Sequence, residues 1–244
     1  MFEALKLSSN NYFIKLLNDK DLYDELAKVY SFIGARLGYE QTYSLFYEEE
    51  VDESMSAVMS DLSKYAVSTY DNYVEKVSKT DKYGKPVNQR YPLDKHAAWQ
   101  LAWGQGRLTA TPLAMARVAS IVAGDGKMPF TRFDLDAKPS RISLEGMSRD
   151  DIAYLKSAMK AEGDSHVFGS TVYGKTGTAQ RSIGETAAKK SVNEQDGWYM
   201  GYCEGCDGPI AFVVRMERGP GSGNAVRVTN DVILPALRKM GYIK

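Results

Sequence analysis

The sequence predicts an α+β fold in which an antiparallel sheet is covered by helices. Apolar residues recur at helical spacing near the N-terminus, after Thr111 and after Ser148. Three strand-like runs follow in the C-terminal half, over 170–180, 198–202 and 210–216. A short turn containing glycine and proline separates the last two runs, which indicates an antiparallel hairpin.

The composition is that of an ordinary globular domain without net charge. The chain has 244 residues, of which 31 are basic and 31 acidic, so it lacks the positive footprint of a dedicated nucleic-acid binder. No stretch approaches the ~20 consecutive apolar residues of a membrane helix, and the first ten residues have no signal-peptide layout. We therefore expect one unit over residues 1–244, with no nucleic-acid partner and no export signal in the chain as written.

The N-terminal segment predicts two helices, followed by a region of poor periodicity. The first helix carries Phe2, Leu5, Phe13, Leu16 and Leu17, and the second carries Leu22, Leu26, Val29, Tyr30 and Ile33 before a stop at Gly34. Residues 35–98 form a variable, tyrosine-rich region in which we expect helix pieces and polar loops. Its tyrosines favour half-buried packing over a ligand-stacking surface.

Two further helices have clear start signals. Thr111 is an N-cap followed by proline at the first helical position, which predicts a helix to about Ala123, ended by the glycines that follow. Ser148 caps a second helix with two aspartates in its first turn, and one face carries Ile152, Leu155, Ala158 and Met159.

The apolar run Ile210–Val214 predicts a strand buried on both faces, at a central position in the sheet. The chain is predicted to close with a helix over Asn224–Met240 that Pro235 kinks or interrupts.

The two cysteines, Cys203 and Cys206, leave three interpretations open. They can form a redox clip, supply half of a zinc site or remain idle thiols. A zinc site usually needs four protein ligands, and His96 and His166 lie far away in sequence. We expect no metal and no cofactor.

The tetrad Lys175-Thr176-Gly177-Thr178 is the most informative chemical pattern. A cation, two hydroxyls and a glycine along one strand suit the docking of a substrate's backbone and carboxylate, because glycine allows close approach. Alone, the tetrad favours a solvated strand end over a binding site, because short motifs of this kind also occur by chance.

Other motifs place the tetrad in a wider pattern. Ser8-Ser9-Asn10 supplies a Ser-x-Asn element upstream of the Lys-Thr-Gly, as in penicillin-recognising serine enzymes. Further landmarks, in order, are Gly104-Gln105-Gly106, Thr111 to Ala116, Ala123 to Gly126, Gly174 to Gln180 and Asp196 to Tyr202. Together they resemble the transpeptidase domain of penicillin-binding proteins, with a Lys-Thr-Gly-Thr-Ala-Gln form similar to the monofunctional, class B branch. The resemblance implies a partial penicillin-binding transpeptidase fold, similar to that of serine β-lactamases.

The resemblance implies acyl transfer from D-Ala-D-Ala stem peptides of peptidoglycan, with β-lactam antibiotics as mimics. Ser8 would relay protons, and Asn10 would hold the donor amide and orient the catalytic lysine. Lys175, Thr176 and Thr178 would bind the substrate carboxylate beside Gly177, and the Thr178 N–H would donate to the oxyanion. Family members work on the outer side of the cytoplasmic membrane, tethered by an N-terminal anchor that this sequence does not show.

One departure from the family pattern concerns the nucleophile. In the family a Ser-x-x-Lys precedes the Ser-x-Asn motif, whereas Ser8 lies almost at the start of this sequence. The single Ser-x-x-Lys, Ser157 to Lys160, follows it in a helix that is a scaffold element in the family. We interpret Ser157 as a decoy and expect the chain to begin after its own nucleophile, inert by itself.

Absent N-terminal strands would leave Ile210–Met216 with an unpaired edge, so we also expect self-association, partial disorder or a complementing fragment. Two alternatives stay open. One is a non-catalytic module that binds stem peptides or a partner from the division or elongation machinery, and the other is a hydrolase that uses Ser157.

Overall fold

The computed structural model gives the element bounds used below. It describes residues 2–20, 75–80, 86–91, 99–100, 102–105, 110–129, 136, 138–139, 141–143, 146–167, 171–180 and 195–244. The helices are α1 (Phe2–Lys6), α2 (Asn10–Asp19), α3 (Pro112–Ala123), α4 (Arg149–His166), α5 (Ser222–Val228) and α6 (Leu234–Lys239). The strands are β1 (Glu75–Thr80), β2 (Pro86–Tyr91), β3 (Lys127–Pro129), β4 (Arg141–Ser143), β5 (Val172–Gln180), β6 (Gln195–Cys203) and β7 (Ile210–Gly219).

The main sheet is antiparallel, in the order β5-β6-β7. Cys203 pairs with Ile210 at the closed end of the β6–β7 hairpin, which confirms the predicted hairpin. The central position predicted for Ile210–Val214 is wrong, because β6 lies in the middle and, among the described strands, β7 pairs with β6 only. Its apolar character has another cause: helices pack on both faces of the sheet.

Each face of the sheet has its own apolar cluster. On one face Tyr199, Phe212 and Val214 pack with Ala225 and Leu234 of the C-terminal helices. On the other face Tyr202 packs with Val122 of α3 and Met159 of α4. Helices therefore cover both faces of an antiparallel sheet, and the α+β class is confirmed.

The start signals of α3 and α4 operate as predicted. The Thr111 side chain accepts a hydrogen bond from the Ala114 N–H at 3.1 Å, and Pro112 opens the helix. Ser148 and Asp151 form a reciprocal capping box at the start of α4. These caps fix where both helices begin, and α4 then runs alongside the outer edge of β5.

The N-terminal region differs from the prediction in two places. The first predicted helix is split into α1 and α2 by a turn in which Ser8 has φ +51°. The second, with Leu22 to Ile33, lies outside the described residues. Within 35–98, where we expected helix pieces and loops, β1 and β2 form an antiparallel hairpin in which Glu75 pairs with Tyr91. Both strands are mostly polar, so apolar alternation does not mark them in the sequence.

The C-terminal helix is interrupted, as predicted from Pro235. A π-helical segment over Thr229–Ile233 separates α5 from α6, and Pro235 lies in the first turn of α6. Proline has no N–H to donate and its ring displaces the preceding carbonyl, so the wider turn accommodates it. Within the described part of the chain, no helix combines the length and apolar character required to cross a bilayer.

Candidate active site

One cavity brings together all six residues that the sequence predicts for the site. It has a volume of about 460 Å³ and lies between the α1–α2 turn, the outer edge of β5 and the segment around Gln105. Its lining includes Ser8, Asn10, Lys175, Thr176, Gly177 and Thr178, together with Leu5, Phe13, Trp103, Gln105 and Ser222. Two motifs separated by more than 160 residues therefore share one concave surface.

The turn between α1 and α2 presents Ser8 to the strand. Ser8 is not a glycine, yet it adopts a left-handed backbone conformation, which costs about 1 kcal/mol. Its Oγ is hydrogen-bonded to Nζ of Lys175. The chain therefore turns at Ser8 so that the Ser8 hydroxyl contacts the Lys175 ammonium. Asn10 follows as the first residue of α2 and lines the cavity.

Lys175 is the central cation of the cavity. Besides Ser8, Nζ donates to the Thr176 carbonyl at 3.2 Å and to the Thr176 hydroxyl at 3.4 Å. Its side chain is 21% exposed. Burial lowers the pKa of Lys175 from its ordinary value, and the Glu162 carboxylate opposes that shift.

Glu162 is the functional candidate that sequence reasoning missed. Its side chain is 1% exposed and lies 3.6 Å from Nζ of Lys175. Oε1 accepts hydrogen bonds from the Thr176 N–H at 2.7 Å and the Thr176 hydroxyl at 2.6 Å. The sequence carries one signal: Glu162 continues the buried face of α4, because it is four residues after Ala158 and three after Met159.

The outer edge of β5 is bridged by the side chain of Gln105. Its Nε2 donates to the Thr178 carbonyl at 2.6 Å, and its Oε1 accepts from the Gln180 N–H at 3.3 Å. In an antiparallel strand both backbone groups of alternate residues point to the same side, so the Thr178 N–H points to the cavity side as well. Thr178 Oγ1 accepts from the Ser222 N–H at 3.3 Å, which leaves its own proton for another acceptor.

Ser157 lies in a different environment from Ser8. It is exposed on α4, and its hydroxyl donates back to the Ala153 carbonyl at 2.9 Å. Lys160, the lysine of the Ser-x-x-Lys pattern, forms an exposed ion pair with Asp164. Neither lines the cavity that holds Ser8 and Lys175.

Both cysteines are free thiols in this structure. Cys203 is buried in the sheet, where burial raises its pKa, and Cys206 is exposed in the hairpin turn. In the described ranges, no three His, Cys, Asp or Glu side chains are grouped as metal ligands. The buried thiol belongs to the apolar cluster on β6 and β7.

The chain is similar in sequence to one known protein family. The model of the penicillin-binding protein transpeptidase domain matches residues 1–234. The chain belongs to the penicillin-binding protein transpeptidase family. Members of this family are penicillin-binding transpeptidases of peptidoglycan synthesis, so the resemblance seen in the short motifs is confirmed. A comparison with curated proteins finds no match.

Solved structures support the transpeptidase fold. Penicillin-binding protein 2 of Helicobacter pylori, in a complex with MreC, is 19% identical with a TM-score of 0.62, over 99% of this chain and 40% of that one. A peptidoglycan synthase complex that coordinates polymerization and crosslinking is 20% identical with a TM-score of 0.58, over 98% of this chain and 36% of that one. This chain therefore spans less than half the length of these relatives.

Proposed function

We propose that this chain forms the carboxylate-binding side of a D,D-transpeptidase site that recognises D-Ala-D-Ala stem peptides and β-lactams. The observation that carries the proposal is the contact between Lys175 and Ser8 inside one cavity, beside the outer edge of β5. The Ser-x-Asn and Lys-Thr-Gly motifs are far apart in sequence, and their meeting is what this family's chemistry requires.

We assign each residue of the cavity a task in ligand binding. The substrate carboxylate would bind the Lys175 ammonium and the Thr178 hydroxyl, and Asn10 would hold the donor amide. The Thr178 N–H, on the cavity side of β5, would donate to the oxyanion. In a complete site, where a nucleophilic serine from outside this chain forms the ester bond to the carbonyl, Ser8 would pass a proton to the departing amine of the terminal D-alanine and regain one from the Lys175 ammonium.

We further propose that the chain alone forms no acyl-enzyme. Its single Ser-x-x-Lys contains Ser157, whose hydroxyl is bonded to a helix carbonyl and whose lysine partner is paired with Asp164. A Ser8 attack is also disfavoured, because its hydroxyl contacts a cation and not a general base. Binding without turnover is then the expected behaviour, and a non-catalytic peptide-binding module remains the alternative function.

The first experiment tests covalent and noncovalent binding together. The purified chain is exposed to excess penicillin and its intact mass is measured, with no adduct expected. Calorimetry then compares a peptide ending in D-Ala-D-Ala with the same peptide as its C-terminal amide. The acid should bind, and loss of the carboxylate should cost at least tenfold in affinity, since hydrogen bonds to charged groups contribute about 1.5–3 kcal/mol.

Two variants make this test specific. Lys175→Ala should reduce the difference in affinity between acid and amide to what the Thr178 hydroxyl contributes, whereas Lys160→Ala, which removes an exposed lysine of α4, should preserve it in full. A stoichiometric adduct mapped to Ser157 or Ser8 would contradict the inert-chain proposal. Equal affinity for acid and amide in the unmodified chain would contradict the carboxylate-binding proposal.

The cellular context is proposed from the family. Family members act in the periplasmic part of the cell envelope, and we propose the same location for the protein that carries this chain. Similarity to the Helicobacter pylori complex suggests a protein partner in the cell-wall machinery. Residues 1–244 would act as one transpeptidase unit, and the outer edge of β7 would pair with a second copy or with another segment of the family fold.

A further inference from the structure

The buried carboxylate of Glu162 is not used in the function proposed above. It comes from α4, whereas the residues that it contacts belong to β5, so it joins two elements at the cavity wall. Its Oε1 receives both Thr176 donors and lies 3.6 Å from Nζ of Lys175. Its Oε2 is buried and has no hydrogen-bond partner among the described residues.

The hydrogen bonds determine what the Thr176 hydroxyl can do. A hydroxyl has one proton, and here that proton is donated to Glu162 while the oxygen accepts from Lys175. Thr176 therefore has no proton left for a ligand carboxylate. Thr178 differs, because its Oγ1 accepts from Ser222 and keeps its proton.

Charge gives Glu162 a second effect on the same site. Desolvation of the partly buried Lys175 favours the neutral amine, and a carboxylate 3.6 Å away favours the ammonium. The other titratable groups near this carboxylate are His166, whose Nε2 is 3.7 Å from Oε1, and the buried phenol of Tyr199 on β6. Ser8 contacts Lys175 from the turn between α1 and α2.

We infer that Glu162 is a positioning residue of this site: it keeps Lys175 charged and takes the Thr176 proton, so that carboxylate recognition depends on Lys175 and Thr178. The second half of this inference rests on the proposed function. The first half concerns Lys175 alone and can be measured without any ligand.

The ligand-free test follows the titration of Lys175 by NMR in the full chain with ¹³C-labelled lysine, assigned with Lys175→Arg. In Glu162→Gln the pKa of Lys175 should fall by about one unit, because an opposite charge 3.6 Å from Nζ is removed. Asp164→Asn is the matched control, since it removes an exposed carboxylate from the next turn of α4 and should leave Lys175 unchanged. Repeating both titrations in a His166→Gln background removes the effect of the His166 imidazole on the pKa of Lys175.

An unchanged pKa of Lys175 in Glu162→Gln, or an equal shift in Asp164→Asn, would overturn the inference. A purely structural role for Glu162 would lower the melting temperature without moving this titration. If Glu162→Gln does not fold, Glu162→Asp is used, which keeps the charge but moves it away from Nζ. The pKa of Lys175 should then fall by a smaller amount.

The ligand test separates the two threonines. Thr176→Val should change the affinity for a D-Ala-D-Ala peptide by less than twofold, whereas Thr178→Val should lower it about tenfold, the cost of one hydrogen bond to a charged group. A larger loss in Thr176→Val than in Thr178→Val would overturn the proton assignment. If the unmodified chain binds no carboxylate peptide, the proposed function fails, and the NMR titration still decides the role of Glu162.

Discussion

Single residues decide how closely α4 approaches the strand that carries the Lys-Thr-Gly motif. Gly163, next to Glu162, is buried, and a Cβ added there would lie 2.0 Å from the Val172 carbonyl oxygen. That oxygen is backbone and cannot move away without displacing β5. The absence of a side chain at Gly163 is therefore what lets the Glu162 carboxylate reach Thr176.

This contact predicts opposite outcomes for two helical glycines. Gly163→Ala should destabilise the chain by about 2 kcal/mol, the range expected for overpacking. Gly223→Ala, in α5 with nothing within 4 Å of the added Cβ, should stabilise it by up to about 1 kcal/mol, the helix preference for alanine over glycine. Urea denaturation compares the two, and equal effects would show that α4 and β5 do not touch at Gly163.

The residue scale also limits what the sequence can reveal about the site. Ser8, Asn10 and Lys175 could be named from motifs, because their order and residue types match a known chemistry. Glu162 could not, because a glutamate in a helix is usually a solvated side chain. Only its position facing β5 makes it part of the site.

At the scale of elements, the caps are the most predictable feature. Ser148 followed by Asp151 predicts a capping box, and the structure contains both of its hydrogen bonds. The side-chain and backbone hydrogen bonds of Ser148 hold the pKa of Asp151 below its ordinary value of 3.8. Because the pKa of Asp151 is lower in the folded chain, its carboxylate stabilises the fold. That stabilisation is fully present above pH 3.8 and is lost as the pH falls through the folded pKa.

This linkage gives a pH-dependent prediction for α4. Asp151→Asn should lower the melting temperature at neutral pH. Its difference from the unmodified chain should shrink below about pH 4, where the carboxylate becomes protonated first in the unfolded chain and, at lower pH, in the folded one. Asp150→Asn removes the same charge from the same turn without a Ser148 contact, so its effect should be smaller. A difference for Asp151→Asn that stays constant between pH 3 and pH 7 would contradict the assignment.

The strands were predicted correctly along the sequence, but their order in the sheet was not. The three runs predicted at 170–180, 198–202 and 210–216 correspond to β5, β6 and β7, because their β-branched and aromatic residues are bounded by turn residues. The order β5-β6-β7 puts the most apolar run at an edge of the described sheet. Apolar content reports burial of the two faces by helices, and it does not report how many neighbours a strand has.

At the scale of the whole molecule, the edge of β7 leads to a prediction about assembly. The backbone groups of β7 that face away from β6 have no partner strand in the described ranges. Such an edge favours pairing with another chain. We expect the average mass from size-exclusion chromatography with light scattering to rise with protein concentration. A monomer of constant mass over a hundredfold concentration range, with a cooperative melt, would contradict this expectation.

The sequence by itself determined the helix caps, the hairpin, the interruption at Pro235 and the family motifs, because these depend on residues close together in the chain. The tertiary structure decided what distant residues do to one another. It places Ser8 on Lys175 across 167 positions and turns a helix glutamate toward a strand. It also puts β7 at an edge of the described sheet. Such contacts depend on how helices and strands pack, and the spacing of residues along a chain does not contain that information.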